Sequence, residues 1–268
     1  MSFHEKIRGD LIRILDREET DKISQLNNSM RLLAKWRSVL IQNTVLQHEG
    51  KIVLGGPFRG MEFLEHSSEG CHVAKLLGCY EQPLFSHIEN AISDEFDLVI
   101  NIGCAEGYYA VGMAMRMPNS KILAFDTNKD AQAACLKLAA ANKVSERIQI
   151  GGTFNSEDFN SYKDKRTLLL CDIEGAENEL LDPQRADELT NIFMIVESHE
   201  CVRPGVTDIL TKRFSPTHNV IQVDDSGSRN IIGAPQWFDK LSHLDQLLAT
   251  WEWRSGPTPW LVMEPKRK

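Results

Sequence analysis

The chain has 268 residues, of which 42% are hydrophobic and 25% charged, and its formal net charge is −8. These values are typical of one large α/β domain with an appendage, or of two small domains. The negative charge argues against a broad phosphate-binding surface and therefore against a nucleic-acid partner. No apolar run reaches the ~20 residues of a membrane helix, and residues 1–6 lack the pattern of a signal peptide. The six cysteines form no CxxC pair and are expected to be reduced core thiols of a cytoplasmic protein.

Residues 5–48 are predicted to be helical because their apolar residues recur at helical spacing. They form two stripes, Ile7, Leu11 and Ile14/Leu15 in the first, and Ile23, Leu26, Met30, Leu33 and Leu40 in the second. The second stripe has heptad-like spacing. Both exceed what a lone surface helix needs, so we expect them to cover the active-site crevice or to form a homodimer contact. Two short strands are predicted at 51–54 and 58–63, around the turn signal Gly55-Gly-Pro57, and a helix at 84–92.

From Phe96 onward, strand and helix patterns alternate. Strands are predicted at 98–102, 121–126, 147–151, 167–172, 192–197, 218–223 and 259–263, and helices at 107–117, 129–142, 176–181, 206–214 and 236–250. The alternation predicts a mostly parallel, seven-stranded sheet with helices on both faces and ligands at the carboxyl ends of the strands. We therefore divide the chain into an N-terminal helical extension with a short hairpin, residues 1–90, and an α/β domain, residues 91–268.

The first predicted strand of this domain ends in a glycine-rich turn, Asn101-Ile-Gly-Cys-Ala-Glu-Gly107. Gly103 and Gly107 allow the backbone to bend tightly and to approach a ligand. The helix that begins at Gly107 points free N–H groups towards the crevice. One strand later, Asp126 ends a second apolar strand, where a carboxylate can accept the hydroxyl hydrogens of a ribose. Together these features predict a cofactor that contains a nucleoside.

The spacing of the turn distinguishes two classes of cofactor. In the dinucleotide fingerprint Gly-x-Gly-x-x-Gly, Ala105 and Tyr108 would occupy the second and third glycine positions and obstruct a pyrophosphate. This disfavours a nicotinamide-dependent oxidoreductase. The turn instead resembles the first motif of class I S-adenosylmethionine (SAM)-dependent methyltransferases, Asp/Glu-x-Gly-x-Gly-x-Gly, with Asn101 replacing the acid and Ala105 the middle glycine.

This resemblance implies a Rossmann-like methyltransferase sandwich over residues 91–268, with SAM as the cofactor. The residues that it implies as cofactor-binding are Asn101, Gly103, Ala105, Glu106, Gly107, Tyr108, Asp126, Thr127, Asn128 and Asp172.

A third motif follows the predicted strand at 167–172. The run Asp172-Ile-Glu-Gly-Ala-Glu177 resembles the Asp-Val-Glu-Gly-x-Glu signature of FkbM-type methyltransferases, and Ile195-Val-Glu-Ser-His199 is also reminiscent of that group. The resemblance covers roughly residues 96–223. It implies O-methylation of a hydroxyl on a small molecule or sugar, since that is what most FkbM-type enzymes do. A purely structural role stays open for Glu174 and Glu177, because carboxylates in the first turn of a helix stabilise its dipole.

His199 is the candidate general base, because an aliphatic hydroxyl is a poor nucleophile and benefits from a base within hydrogen-bond reach. It follows the fifth strand, and the alternation of side chains places it on the same side as Glu197. A carboxylate partner would fix its tautomer and raise its basicity. With Asp172 and Glu174, these residues form the candidate catalytic set. A histidine without a catalytic role, or a divalent cation held by Asp172, Glu197 and His199, stays open, although no metal is predicted.

Other functions remain open at this stage. The chain could N-methylate a small amine or a peptide side chain, or it could be a non-catalytic SAM-binding subunit, because Asn101 lacks the charge that favours a sulfonium. The acid-Pro-Pro-aromatic motif of nucleic-acid amino-methylating enzymes is missing after the fourth strand. The loops 203–208 and 225–230 are predicted to contact a small-molecule acceptor. Tryptophans 251, 253 and 260 are interpreted as core and terminal-strand packing.

Overall fold

A computed structural model describes residues 2–18, 20–65, 71–254 and 256–266. Within these residues, seven strands form one sheet in the order β3-β2-β1-β4-β5-β7-β6. All neighbouring strands are parallel except for β7, which is antiparallel to β5 and β6. The strands are β1 (Leu98–Ile102), β2 (Lys121–Phe125), β3 (Ile148–Gly151), β4 (Thr167–Cys171), β5 (Phe193–Glu197), β6 (His218–Val223) and β7 (Trp260–Pro265).

Helices surround this sheet and form the N-terminal region. They are α1 (Phe3–Leu15), α2 (Lys22–Glu49), α3 (His72–Leu77), α4 (Phe85–Ser93), α5 (Tyr108–Arg116), α6 (Lys129–Ala141), α7 (Glu177–Leu180), α8 (Val206–Phe214) and α9 (His243–Thr250). The predicted fold class is confirmed, and the ends of the seven strands predicted for the sheet lie within one or two residues of the observed ends. The helix predicted over 236–250 is shorter, since α9 begins only after the Ser242 cap. The sequence pattern missed α3.

The sheet is buried on both faces, because consecutive residues of its central strands enter different hydrophobic clusters. In β1, Val99 packs into the cluster that also contains α5 and α6. Ile100 and Ile102 pack into the other cluster, which includes Leu210 of α8. Burial on both faces explains why β1 and β4 are apolar except for Asn101 and Thr167, rather than alternating apolar and polar residues. The six cysteines are free, and all but Cys201 are buried.

The order of the strands places one crevice at the centre of the sheet. β1 lies between β2 and β4, and their last residues are in register, with Ile102 opposite both Phe125 and Cys171. From β1 the successive strands β2 and β3 are added on one side, and β4 and β5 on the other. The order of the strands therefore reverses between β1 and β4, and ligands bind at such a point in open α/β sheets. The loops that leave β1, β2, β4 and β5 meet at this edge.

The N-terminal region shares the core of the α/β domain. Ser38, Ile41, Gln42 and Val45 on the second half of α2 are buried, and Ile41 and Val45 belong to the cluster that contains Val99 of β1. No side chain of α1 is buried. The boundary between residues 90 and 91 stays a prediction, because the hydrophobic core crosses it.

The hairpin predicted at 51–63 is not a pair of strands. Ile52 and Glu62 form one isolated antiparallel bridge, and Val53 N–H donates to the carbonyl of Met61 at 2.9 Å. The side chains of Val53, Met61 and Phe63 are buried, so the segment is held by packing rather than by a ladder of strand hydrogen bonds. None of the helices in the described ranges is long and apolar enough to cross a membrane.

Candidate functional site

The glycine-rich turn is held tightly against its neighbours. Gly103 has a φ of +75°, and a Cβ atom there would lie 1.6 Å from the backbone oxygen of Asp172. Gly107 has a φ of +94°, and its Cβ would lie 2.6 Å from Sγ of Cys135 on α6. The predicted bend is present, but the close approaches are to the exit of β4 and to α6, not to the space in which a ligand would lie. Both glycines are therefore required by the packing of the turn itself.

Asp126 connects the turn to the end of β2. The Ala105 N–H donates to its Oδ2 atom at 2.9 Å, and the Asn128 N–H donates to its Oδ1 atom at 2.8 Å. An ionised carboxylate has about four acceptor positions, so each oxygen can still accept a hydrogen bond from a ligand. Asn128 itself caps α6, because its side chain accepts the N–H of Asp130.

A cleft of about 460 Å³ opens at the ends of β1, β2, β3 and β4. This volume lies within the usual range for small-molecule sites. Its lining combines an apolar part (Ile102, Phe125, Phe154 and Ile173) with a polar part (Asp126, Thr127, Asn155 and Ser156). Gly103, Asp172 and Glu174 also line it. The predicted cofactor residues Gly103, Asp126, Thr127 and Asp172 are thus brought to one cleft.

A second, smaller cavity of about 40 Å³ lies beside this cleft, and Gly103 and Asp172 line both. Three of its lining residues have a buried side-chain atom without a hydrogen-bond partner in the described structure: Asn101 Oδ1, Tyr108 OH and Trp260 Nε1. Buried polar atoms are rarely left unpaired, since each costs about 1–3 kcal/mol. Three such residues around one cavity favour a site for a small polar group.

Four more of the predicted cofactor residues, Asn101, Ala105, Glu106 and Tyr108, line this cavity, whereas Gly107 and Asn128 line neither it nor the 460 Å³ cleft. Glu106 is fully buried and pairs with Lys75 of α3 at 2.5 Å. The Tyr108 ring packs edge-on against Phe58 and Tyr80. Glu106 and Tyr108 therefore connect the turn to the N-terminal region, a contact that the sequence motif did not predict.

His199 is buried and lies among four carboxylates. Its Nδ1 atom lies 2.7 Å from Glu177 Oε1. Its Nε2 atom lies 3.4 Å from Asp172 Oδ1 and 3.3 Å from Glu174 Oε2. Glu197, which the sequence pattern placed beside His199, lies 3.8 Å from Nε2 and pairs with Arg254 instead. The carboxylate that fixes the histidine ring is therefore that of Glu177.

The Asp172–Glu177 motif forms the turn that makes this contact. Glu174 and Gly175 both have positive φ, +54° and +107°, and the Gly175 N–H donates to Glu177 Oε1 at 3.1 Å. The turn sends the Glu174 side chain outwards and the Glu177 side chain inwards, where it is fully buried. A helix-dipole role alone does not explain a buried carboxylate on a histidine.

The charges around His199 and Asp172 favour the protonated form of both residues. Burial lowers the pKa of His199, but the hydrogen bond with Glu177 and the charges of Glu197, Glu177 and Glu174 outweigh it, so the pKa is raised. Burial, and then the charge of Glu197, raises the pKa of Asp172 well above its ordinary value. His199 consequently loses its proton at a higher pH than an ordinary histidine does.

A third cleft, of about 270 Å³, is lined by Asp172, Glu174, Glu197 and His199. Lys35, Tyr80, Trp253 and Arg254 also line it. Sequence reasoning missed all four; the tryptophans of 251–260 gave the nearest signal, and we interpreted them as packing. Arg254 is held by Glu197 and, at 2.8 Å, by Glu81, whose pKa burial raises to about 7.

A larger cleft of about 860 Å³ adjoins this one, and Glu252, Arg254 and Thr258 line both. Both loops predicted to contact the acceptor, 203–208 and 225–230, contribute to its lining. Neither Gly103 nor Gly107 lines these two clefts, which together could hold a small molecule beside the His199 cluster.

Asp172, Glu174 and His199 also form a group that could hold a metal ion, since their ligand atoms lie within 4.8 Å of one another. Oxygen and imidazole nitrogen ligands suit Mg²⁺, Mn²⁺ or Zn²⁺. The sequence had placed Glu197 in such a set, but the structure places Glu174 there.

No protein-family model and no curated protein sequence matches the chain. Several solved structures are similar in fold. The O-methyltransferase TomG from Streptomyces achromogenes, solved in complex with SAM, is 10% identical, with a TM-score of 0.43 over 69% of this chain and 80% of that one. Cofactor-bound Rv0187 from MTB is 11% identical, with a TM-score of 0.47 over 69% and 81%. A SAM-dependent O-methyltransferase from Thermotoga maritima is 11% identical, with a TM-score of 0.41 over 70% and 66%.

The fold is that of the Rossmann-like methyltransferases. This assignment rests on the strand order and on the antiparallel β7.

Proposed function

We propose that this protein is a SAM-dependent methyltransferase that methylates a hydroxyl group of a small molecule or sugar. The observation that carries the proposal is the position of Asp172, which lines the 460 Å³ cleft, the 40 Å³ cavity and the 270 Å³ cleft. A cofactor in the first two and an acceptor in the third would meet at this residue, beside His199. The likeness of Asp172–Glu177 to the FkbM-type signature supports the choice of a hydroxyl acceptor.

The residues present fit SAM. The apolar side chains of the 460 Å³ cleft suit an adenine, and Asp126 has free acceptor positions for the two ribose hydroxyls. The unpaired acceptor Asn101 Oδ1 and the unpaired donors Tyr108 OH and Trp260 Nε1 suit the ammonium and the carboxylate of an amino acid. When bound, SAM supplies an electrophilic methyl group.

The protein's own contribution is to orient the acceptor and to remove its proton. His199 lines the 270 Å³ cleft, and its Nε2 atom would accept the proton that the hydroxyl group of the acceptor loses. Glu177, at 2.7 Å from Nδ1, holds the ring and stabilises the imidazolium that results. Positioning in the adjoining clefts supplies the remainder of the rate.

Replacement of Asp126 by alanine is expected to weaken the binding of S-adenosylhomocysteine about tenfold or more, because a charge-assisted hydrogen bond contributes roughly 1.5–3 kcal/mol. Calorimetric titration measures this. The matched control is Asp130→Ala, an exposed aspartate in the first turn of α6 outside the cleft, which should bind as the wild type does.

Equal affinity in wild type and Asp126→Ala would show that the ribose lies elsewhere. Tight binding of NAD without binding of SAM would overturn the proposal. A non-catalytic subunit would bind the cofactor without turnover, and an N-methyltransferase would methylate amines but not the matching alcohols.

A cation-assisted O-methyltransferase is the second candidate, and the Asp172, Glu174 and His199 group favours it. Such an ion would lower the pKa of a bound hydroxyl directly. We expect the base mechanism, so treatment with EDTA should leave turnover unchanged. Loss of turnover in EDTA, its recovery with Mg²⁺ or Mn²⁺, and no recovery in Glu174→Gln would establish the second candidate instead.

A further inference from the structure

The first half of α2 presents an apolar surface that the described part of the chain does not cover. Ile23, Leu26, Met30 and Leu33 are between 39% and 72% exposed, and their 3-4-3 spacing puts them on one face of the helix. We call these four residues the N-terminal row. Exposed apolar surface of this extent and regularity marks an interaction site more often than a free surface.

The next heptad position of the same face is Arg37, which forms a bidentate pair with Asp245 of α9 at 2.6 and 2.7 Å. The second half of α2 therefore packs on the body of the protein, and the N-terminal row continues along the same face without a partner among the described residues. The row extends over eleven residues of helix, about 15 Å from first to last.

Helix α1, which packs on α2, also presents exposed apolar side chains. α1 has thirteen residues and buries none of them, and Phe3, Ile12 and Leu15 are each more than 40% exposed. Trp36 Nε1–H of α2 donates a hydrogen bond to His4 of α1, and Gln25 of α2 donates one to the carbonyl of Arg17 in the connection between the two helices. An isolated helix of this length is marginal in water, so the α1–α2 hairpin needs a further surface to pack on.

We propose that this surface is the α1–α2 hairpin of a second copy of the chain, and that the protein is a two-fold symmetric dimer with a four-helix interface. A row with heptad spacing matches an identical row, as an isologous contact requires. Complete burial of the four side chains of the row would remove roughly 450 Å² per copy, and exposed residues on one side of α1 would supply the rest of the ~800 Å² of a standard interface.

The charges of the hairpin favour a second copy over other partners. Residues 1–33 carry six acidic and six basic side chains, whereas the whole chain has a net charge of −8. Two such hairpins can meet without net repulsion. An anionic membrane or a nucleic acid would require an excess of lysine and arginine, which the hairpin does not have.

Sedimentation velocity of the full chain at micromolar concentrations tests the proposal. The wild type should sediment as a dimer, and the double variant Leu26→Glu/Met30→Glu as a monomer. The matched control is Leu136→Glu, at an exposed leucine of α6, which should remain a dimer. Ile23→Glu, at the most exposed position of the row, gives a second variant in case the double substitution impairs folding, which circular dichroism reports.

A wild type that stays monomeric, or row variants that remain dimeric and folded, would overturn the proposal. A monomer that floats with neutral phosphatidylcholine vesicles would assign the row to a membrane surface instead and would also overturn it. Because the readout is mass in solution, the result is independent of the proposed methyltransferase activity.

Discussion

Replacement of His199 by alanine is expected to slow methyl transfer about 10²–10⁴-fold, the effect of losing a general base. The affinity for S-adenosylhomocysteine should stay within about threefold of the wild type, a change below 1 kcal/mol. The reason is positional: His199 lines the 270 Å³ cleft and not the 460 Å³ cleft or the 40 Å³ cavity. Single-turnover kinetics and calorimetry measure the two quantities separately.

The pH dependence of the reaction gives a second readout for the same residue. The pKa of His199 is raised from 6.5 in the fold, so kcat/KM should rise with pH through a limb whose midpoint lies above 6.5. His199→Ala should remove this limb. Glu177→Gln should move it to lower pH, because the carboxylate of Glu177 helps to keep the imidazole protonated; this would identify Glu177 as a positioning residue.

The same shift has a consequence for stability. A pKa raised in the folded state means that His199 stabilises the fold fully below pH 6.5 and loses this contribution as the pH rises through the folded value. His199→Ala should therefore show a smaller decrease in the free energy of unfolding across that window. Urea titrations at several pH values measure it.

The matched control for the kinetic effect of His199→Ala is His243→Ala, which replaces an exposed histidine at the start of α9. This variant should catalyse methyl transfer at the wild-type rate. Loss of cofactor affinity with intact turnover in His199→Ala would assign the residue to the cofactor site. Loss of both, with an unchanged fold, would contradict the separation of the two clefts.

Replacement of Gly103 by alanine is expected to have the largest effect on folding, about 3–5 kcal/mol or failure to fold. The added Cβ would lie 1.6 Å from the backbone oxygen of Asp172. That oxygen belongs to the main chain at the end of β4, so no change of side-chain rotamer can relieve the contact. A positive φ of +75° adds strain for any residue with a side chain. The free energy of unfolding from urea titration measures the total.

Gly205→Ala is the matched control, because Gly205 has a φ of +85° and no atom within 4 Å of an added Cβ. It should show only the conformational cost, about 1–2 kcal/mol. Similar losses of unfolding free energy in the two variants would mean that the glycine-rich turn can move away from β4. The close approach to the Asp172 backbone would then not be the reason for a glycine at position 103.

The sequence by itself determined the central sheet and the meeting of its loops. The strands were predictable because a strand covered on both faces must be a short apolar run, as in residues 98–102 and 167–171. The approach of Gly103, Asp126, Asp172 and His199 to one edge was predictable as well. Each follows a parallel strand, and the carboxyl ends of parallel strands lie together.

Only the tertiary structure decided which groups complete the site. Alternation along β5 predicted that Glu197 would be the partner of His199. In the structure, Glu197 pairs with Arg254, which is distant in sequence. The turn at Glu174 and Gly175 brings Glu177 to the histidine ring instead. Lys35 and Tyr80 reach the 270 Å³ cleft from the N-terminal region, where no local pattern marks them. Local patterns report which face of an element is buried, whereas the partner of a buried charge depends on segments that meet only in the folded chain.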